Sequence, residues 1–293
     1  MHPSPALSSR SSPRRFGGAS RRHAIAWLLA LGSGLATSSA PAQSTPPTVA
    51  ASGSLAEALR IIQGKRMVDL THAFSPSTPV WSGFGPATLA AATDPQTGQP
   101  FTIEKHGFRT TFYAMVGQYG THVDPPAHFR ADGLTMDQIP LKDMILPLVV
   151  FDITPLLPAD PNHALSVADI QAWEARHGRV PAGAFAALRT DMHKDVDTNP
   201  ARFKRHPFPA WSLDALKFLF EQRGITAIGH ESLDTDATPG FDSENWVLKN
   251  NHYQIEVLAH LDQVPPAGAV VVVTWPKVRN GLGFPARVFA ILP

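Results

Sequence analysis

The stretch Gln118-Tyr119-Gly120-Thr121-His122-Val123-Asp124-Pro125-Pro126-Ala127-His128 decides how this chain is read. It brings two imidazoles, one carboxylate and one carboxamide into eleven residues. Side chains alternate between the faces of an extended strand, so His122 and Asp124 leave the same side. Gln118 reaches that side as well if the backbone bends at Gly120, the residue type that turns most freely. Pro125 and Pro126 lack amide hydrogens and stop a regular element. His128 therefore follows a stiff turn and faces the cluster from another direction. Nitrogen and oxygen donors grouped in this way, with a separate titratable group beside them, suit a divalent metal and the chemistry it assists.

The run Gly120-Thr121-His122-x-Asp124-x-Pro126-x-His128 resembles the H-x-G-T-H-x-D-x-P-x-H signature of the metal-dependent "cyclase" hydrolases. That family includes bacterial kynurenine formamidase and isatin hydrolase. The resemblance continues along most of the chain. Asp69-Leu70-Thr71-His72 with Pro79-Val80-Trp81 is similar to the family's D-L-[ST]-H…P-x-[WY] opening. Leu188-Arg189-Thr190 resembles its central strand, and Ile228-Gly229 with Asp234 the strand that ends over the site. Tyr253-Gln254-Ile255-Glu256 resembles the late motif whose Glu binds metal. The resemblance implies an α/β fold, a single domain of the β/β/α barrel-like type with a mixed sheet and flanking helices. It also implies a homo-oligomer, a dimer or a multiple of one. His122, Asp124 and Glu256 are then metal ligands, and His128 is the catalytic acid–base.

Two positions depart from the pattern. The family's first His is Gln118 here, and the His that the two-zinc formamidases carry twelve residues before the late Glu is Glu244. Both changes exchange nitrogen for oxygen. Oxygen-rich sites favour Mn²⁺ or Mg²⁺ on ligand type, while zinc still binds tightly by affinity order. The expected cofactor is a divalent metal, Mn or Zn, as one ion or two. Gln118 is open to two readings, a direct ligand or an amide that orients a water beside the metal. Glu244 follows Phe241-Asp242-Ser243, a helix start, so capping competes there with metal binding.

Composition narrows the class. The chain has 293 residues with 43% hydrophobic side chains, enough for one large globular domain. Without a single Cys, disulfides, thiolate catalysis and Cys-ligated zinc are excluded. Residues 1–42 carry five Arg and no acid, then an apolar run from Ala24 to Ala36 and Ala40-Pro41-Ala42 as a cleavage site. This pattern predicts an export signal and a periplasmic or secreted protein. The apolar run is too short to serve as a membrane anchor. Arg21-Arg22 before it hints at twin-arginine export. Removing that leader leaves twenty Lys and Arg (25 less five) against 24 Asp and Glu, a net charge of −4. No basic patch then remains to bind nucleic acid.

Residues 43–54, rich in Pro, Ser, Thr and Ala, read as a flexible linker, with one domain over 55–293. Helical spacing predicts helices over Leu55–Gln63, Ser166–His177 (Ser166 and Asp169 forming the cap) and Ser212–Arg223 before Gly224. Strands are expected at Met67–Leu70, Thr110–Val116, Leu146–Ile153, Ala184–Arg189, Ile225–Ile228, Ala269–Thr274 and Ala286–Leu292. Interleaved helices and strands again give α/β.

Further residues are candidates for substrate contact. Trp81 and Phe84, on an early loop marked by Pro76, Pro79, Gly83, Gly85 and Pro86, can cover an apolar ring or anchor the core. His72 can stand near the site or hydrogen-bond in the core. His193 follows one expected strand, and His230-Glu231 ends another, where α/β proteins place ligand contacts. The expected reaction is hydrolysis of a C–N amide bond in a small aromatic or cyclic amide by a metal-activated water, with His128 moving the proton. Two other classes compete: a periplasmic binding protein of the same fold, and a metal-dependent lyase or cyclase that uses no water nucleophile.

Overall fold

The computed structural model describes residues 53–293, and Gly53–Pro293 forms one compact unit. The expected export signal and linker residues 43–52 lie outside the described residues. Thirteen strands follow in order: β1 Met67–Asp69, β2 Thr88–Ala91, β3 Thr111–Ala114, β4 His122–Asp124, β5 Ile145–Asp152, β6 Ala164–Leu165, β7 Phe185–Arg189, β8 Ala210–Trp211, β9 Ala227–His230, β10 Tyr253–Glu256, β11 Ala269–Thr274, β12 Phe284–Pro285 and β13 Arg287–Ile291. Nine of them form one sheet in the order β1-β13-β11-β5-β7-β9-β10-β4-β12, and β2–β3 and β6–β8 are separate pairs.

The centre of the large sheet is parallel. β5, β7, β9 and β10 run the same way, and each junction is bridged by a helical segment: Val167–His177, Leu213–Arg223 and Asp242–Lys249. Strands buried on both faces read as continuous apolar runs, which is why Leu148–Phe151 and Phe185–Leu188 carry no alternation. Antiparallel strands complete both flanks, β11, β13 and β1 beyond β5, and β4 and β12 beyond β10.

The two faces have separate cores. All three helical segments pack on one face, where Ile170, Trp173, Leu216, Leu219, Val247 and Leu248 meet Val149, Phe151, Leu188 and Ile228. Trp173 Nε1 donates to the Val150 carbonyl at 2.9 Å and pins its helix to the sheet. The other face gathers Val68 from β1, Val123 from β4 and Val271 from β11 into a single cluster. A flat sheet could not bring strands so far apart in its order into one core. The sheet curls, and the bridge between Thr71 and Leu258 links its distant parts. The fold is a single α/β domain built on a curled mixed sheet, a half-barrel, with helices on its outer face.

The structure corrects three local expectations. The helix expected over Ser212–Arg223 is α-helical only to Lys217 and continues as a wide π turn from Phe218 to Arg223. The strand expected at Ile225–Ile228 lies two residues later, because Thr226 still donates to the Ala184 carbonyl in the connection. The strand expected at Thr110–Val116 is confined to Thr111–Ala114, where it pairs with Thr88–Ala91, a strand that the sequence reading did not anticipate. The cap at Ser166 has the expected form, with Ser166 and Asp169 bonding reciprocally.

Gly229 keeps β9 and β10 close to the inner core. A Cβ there would stand 2.6 Å from the Phe185 ring and 2.7 Å from Leu258, both fully buried. Overpacking of this kind costs about 1–3 kcal/mol. Gly229→Ala should lower the unfolding free energy by that amount, so that the urea midpoint falls while the slope is unchanged, a shift that unfolding followed by circular dichroism would measure.

Candidate metal centre

The pairing of β4 with β10 assembles the site. Glu256 stands opposite His122 and Gln254 opposite Asp124 in an antiparallel register. Val123 and Ile255 point to the inner core, so His122, Asp124, Gln254 and Glu256 all leave the other face. Four polar side chains thus meet at the C-terminal ends of β9 and β10, where parallel α/β sheets open their binding crevices.

His122, Asp124 and Glu256 are buried, and one donor atom of each lies within 4.8 Å of the others. His122 Nε2 stands 3.5 Å from Asp124 Oδ2 and 3.5 Å from Glu256 Oε2. Ligands about 2.1 Å from one cation, at roughly 110° to each other, are separated by about this distance. The His122 Nδ1–H donates to the Gly120 carbonyl at 2.8 Å, which leaves the Nε2 lone pair facing the carboxylates. Metal-binding imidazoles are oriented in the same manner. Gly120 adopts φ +62, which supplies both the bend after Gln118 and that carbonyl. His122 Nε2 and Asp124 Oδ1 have no hydrogen-bond partner although both are buried. Unpartnered donor atoms of this chemistry fit a divalent cation.

Gln254 organises the acids. Its Nε2 donates to Asp124 Oδ2 at 3.2 Å, Glu244 Oε1 at 3.2 Å and Glu256 Oε1 at 3.0 Å, while its Oε1 accepts from Thr235 Oγ1 at 2.7 Å. Glu244 enters from the helix Asp242–Lys249. Capping there falls to Asp236, whose carboxylate accepts from the backbone of Ser243 and Glu244, so the Glu244 side chain is free to turn into the site. Val257, directly after Glu256, has φ 56, a rare conformation for a β-branched residue. It is held by Thr121 Oγ1 on its carbonyl and by the Ser232 carbonyl on its amide. Strain of this kind costs of order 1–3 kcal/mol and is stored where a side chain must be aimed.

Charge is concentrated here. Burial and the charge of Asp124 push Glu256 and Glu244 well above the ordinary carboxylate range. Burial, then Asp236, pushes Asp234 up to about 7. Burial would also raise Asp124, but the His122 imidazole beside it brings it down to about 2. Burial would depress His122, but Asp124 and the Gly120 carbonyl outweigh that and hold it above its usual value. Acids forced together this way invite a cation.

A cavity of about 260 Å³ opens over the cluster. Its floor includes Asp124, Glu244 and Glu256, and its walls carry Trp81, Phe84, Phe129 and Phe241. Trp81 folds back over Gly83, where a Cβ would collide with the indole, and meets Phe84 edge to face at 5.1 Å. His128, at the end of the short 3₁₀ turn Pro126–His128, lines the same cavity. Gln118 lines it too, with its Nε2 donating to the Leu282 carbonyl at 2.6 Å. The remaining candidates lie elsewhere. His230 is wholly buried beneath the acids, 3.6 Å from Glu256 Oε1, with burial holding its imidazole down at about 4. His72 and His193 stand together with His260 in a different cluster, away from the cavity lining. Gln254 was not singled out from sequence. It lies two residues before Glu256, so the alternation that paired His122 with Asp124 also pairs these two.

The Cyclase family model matches residues 68–237, more than half of the chain. The chain belongs to the Cyclase family. An isatin hydrolase of Roseibium aggregatum is 29% identical over 255 residues, 80% of this chain and 95% of that protein. Isatin hydrolase A from Ralstonia solanacearum superimposes with a TM-score of 0.71 at 30% identity, over 86% of this chain and all of that one. An isatin hydrolase bound to the product analogue thioisatinate gives 0.70 at 26% identity, over 80% of this chain and 96% of that one.

Two outcomes are expected. Gln254→Leu removes the donor shared by three carboxylates, and should weaken metal binding about 10–100-fold by calorimetric titration. The second concerns metal-free protein. Glu231 and Asp234 are raised by burial to about 8 and about 7, so their stabilising contribution is complete at acid pH and lost as pH rises through those values. The buried His193 and His230, both lowered to about 4, act in the opposite sense only below their ordinary value of 6.5. With chelator present, the Tm should therefore fall between pH 6.5 and 8, and Asp234→Asn should flatten that slope.

Proposed function

We propose that this chain is a metal-dependent hydrolase that opens the C–N amide bond of a small aromatic or cyclic amide. The observation that carries the reading is the buried His122–Asp124–Glu256 cluster, with two unpartnered donor atoms, on the floor of an aromatic-walled cavity. The isatin hydrolases named above act on a compound whose flat ring and cyclic amide suit such walls, which supports the same substrate class here.

His122, Asp124 and Glu256 would hold the ion, with Glu244 and Gln118 as the further oxygen donors within the cavity. Bound there, a divalent cation supplies acidification of water, from about 15.7 toward 7, and a positive charge for the carbonyl oxygen. Trp81, Phe84, Phe129 and Phe241 exclude solvent and hold the ring flat. His128 accepts the proton of the attacking water and returns it to the departing nitrogen, a shuttle that imidazole performs near neutral pH. Gln254 keeps the carboxylates apart and oriented. The oxygen-rich donor set supports manganese beside zinc as the ion. The same proposal includes export to the periplasm or beyond, supported by the basic and apolar residues 1–42, and a homo-oligomer, supported by the family resemblance.

The test combines metal analysis with a substrate panel of isatin, cyclic imides and N-formyl aromatic amines. Wild-type protein should carry Mn or Zn and add one water to at least one of these. Asp124→Ala should lose the ion held at His122, and turnover with it. His128→Ala should keep the metal and lose turnover by about 100- to 10,000-fold. Full activity in Asp124→Ala would refute the site. Tight binding without turnover would make the chain a binding protein, and turnover without uptake of labelled oxygen would make it a lyase.

A further inference from the structure

A second group of metal-competent side chains lies at the neighbouring strand ends and shares no residue with the first. Asp191 and His193 follow β7, Glu231 follows β9, and one donor atom of each lies within 4.8 Å of the others. Glu231 is fully buried, and its two oxygens differ in role. Oε2 accepts from the Thr190 backbone amide at 2.8 Å and the Thr190 hydroxyl at 3.1 Å. Oε1 has no partner and faces His193 Nε2, itself buried and unpartnered, at 3.9 Å. Asp262, on the turn after β10, brings Oδ1 to 3.6 Å from the same nitrogen. The 3.6 Å separation is close to that of ligands about 2.1 Å from a common ion, and 3.9 Å is within the span of two such ligands at a wider angle.

Charge balance points the same way. Arg189 pairs with Asp152 and Asp191, and Lys194 pairs with Asp191 and lies 3.6 Å from Asp262. With Glu231 the group holds four carboxylates against two cations. One divalent cation closes that difference. A neutral imidazole offers its lone pair to a metal.

We propose that Glu231, His193 and Asp191, with Asp262 at the open side, form a second divalent-cation site of the zinc or manganese class. One imidazole among carboxylates suits these ions better than calcium or magnesium. The cation ties together the ends of β7, β9 and β10. Because Glu231 is bonded to His230, 3.6 Å from Glu256 Oε1, it also fixes the rear of the first centre. His72, whose Nε2 is likewise unpartnered, and His260 flank the site, with ring centroids 6.1 and 5.3 Å from that of His193.

The test separates the two centres. Asp124→Ala protein, stripped and dialysed against micromolar Zn²⁺ or Mn²⁺, should retain one equivalent by plasma mass spectrometry and gain thermal stability from it. Adding Glu231→Gln should abolish both effects. The two Thr190 donors hold the remaining oxygen of that glutamine, so an NH₂ group replaces Oε1. Adding His193→Ala should do the same. Glu231→Gln alone should lose one equivalent from wild type while the ion at His122 stays. If Asp124→Ala binds metal only at millimolar concentration, or if Glu231→Gln and His193→Ala each hold as much as their parents, the second site does not exist. Either result leaves the proposal for the first centre standing or falling on its own metal content.

Discussion

The register of one short antiparallel pair governs the site. With Glu256 opposite His122 and Gln254 opposite Asp124, four polar side chains share a face and two apolar ones, Val123 and Ile255, share the other. A slip of one residue would turn the acids into the inner core and the valine and isoleucine into the cavity. Register is strongly specified here because the inner face is a packed hydrophobic cluster that accepts no charge. The positive φ at Gly120 and at Val257 sets the two chain directions as they enter and leave this pair.

Electrostatics and packing are linked through Gln254. Asp124, Glu244 and Glu256 repel one another, and a single amide nitrogen bonds to all three. The amide is fixed in turn by Thr235, and His230 Nε2 lies 3.3 Å from the same hydroxyl. The acids are thus poised rather than relaxed. They are buried, crowded and aimed at a common point, where a cation relieves their repulsion and its own charge is least screened. The aromatic walls above are built from two loops and the turn after β4, so ring recognition can change without disturbing the metal-binding strands.

The same arithmetic of charge recurs at the ends of β7 and β9, where Glu231 is held by one oxygen and left with the other unpartnered. Both clusters occur where parallel strands end and their connections begin. Backbone there is not committed to the sheet ladder, and side chains from several strands converge.

Much of this was legible in sequence because it depends on neighbours along the chain. Alternation put His122 and Asp124 on one face, Ser166 and Asp169 marked a helix start, and apolar runs marked β5, β7 and β11. The spacing Gly120-Thr121-His122-x-Asp124-x-Pro126-x-His128 carried the family resemblance that the Cyclase match now shows. What sequence left open depends on partners far apart in the chain. Gln254 becomes a hub only when it meets Asp124, 130 positions away, and Glu244 is released from capping only because Asp236 takes that role. His72 and His193 drew attention as single residues, yet the curl of the sheet sets them together in a cluster of their own. Local chemistry is written in spacing, since a strand or a turn fixes the directions of adjacent side chains. Which of those side chains meet is decided by sheet register and curvature, and these follow from burying two hydrophobic faces at once.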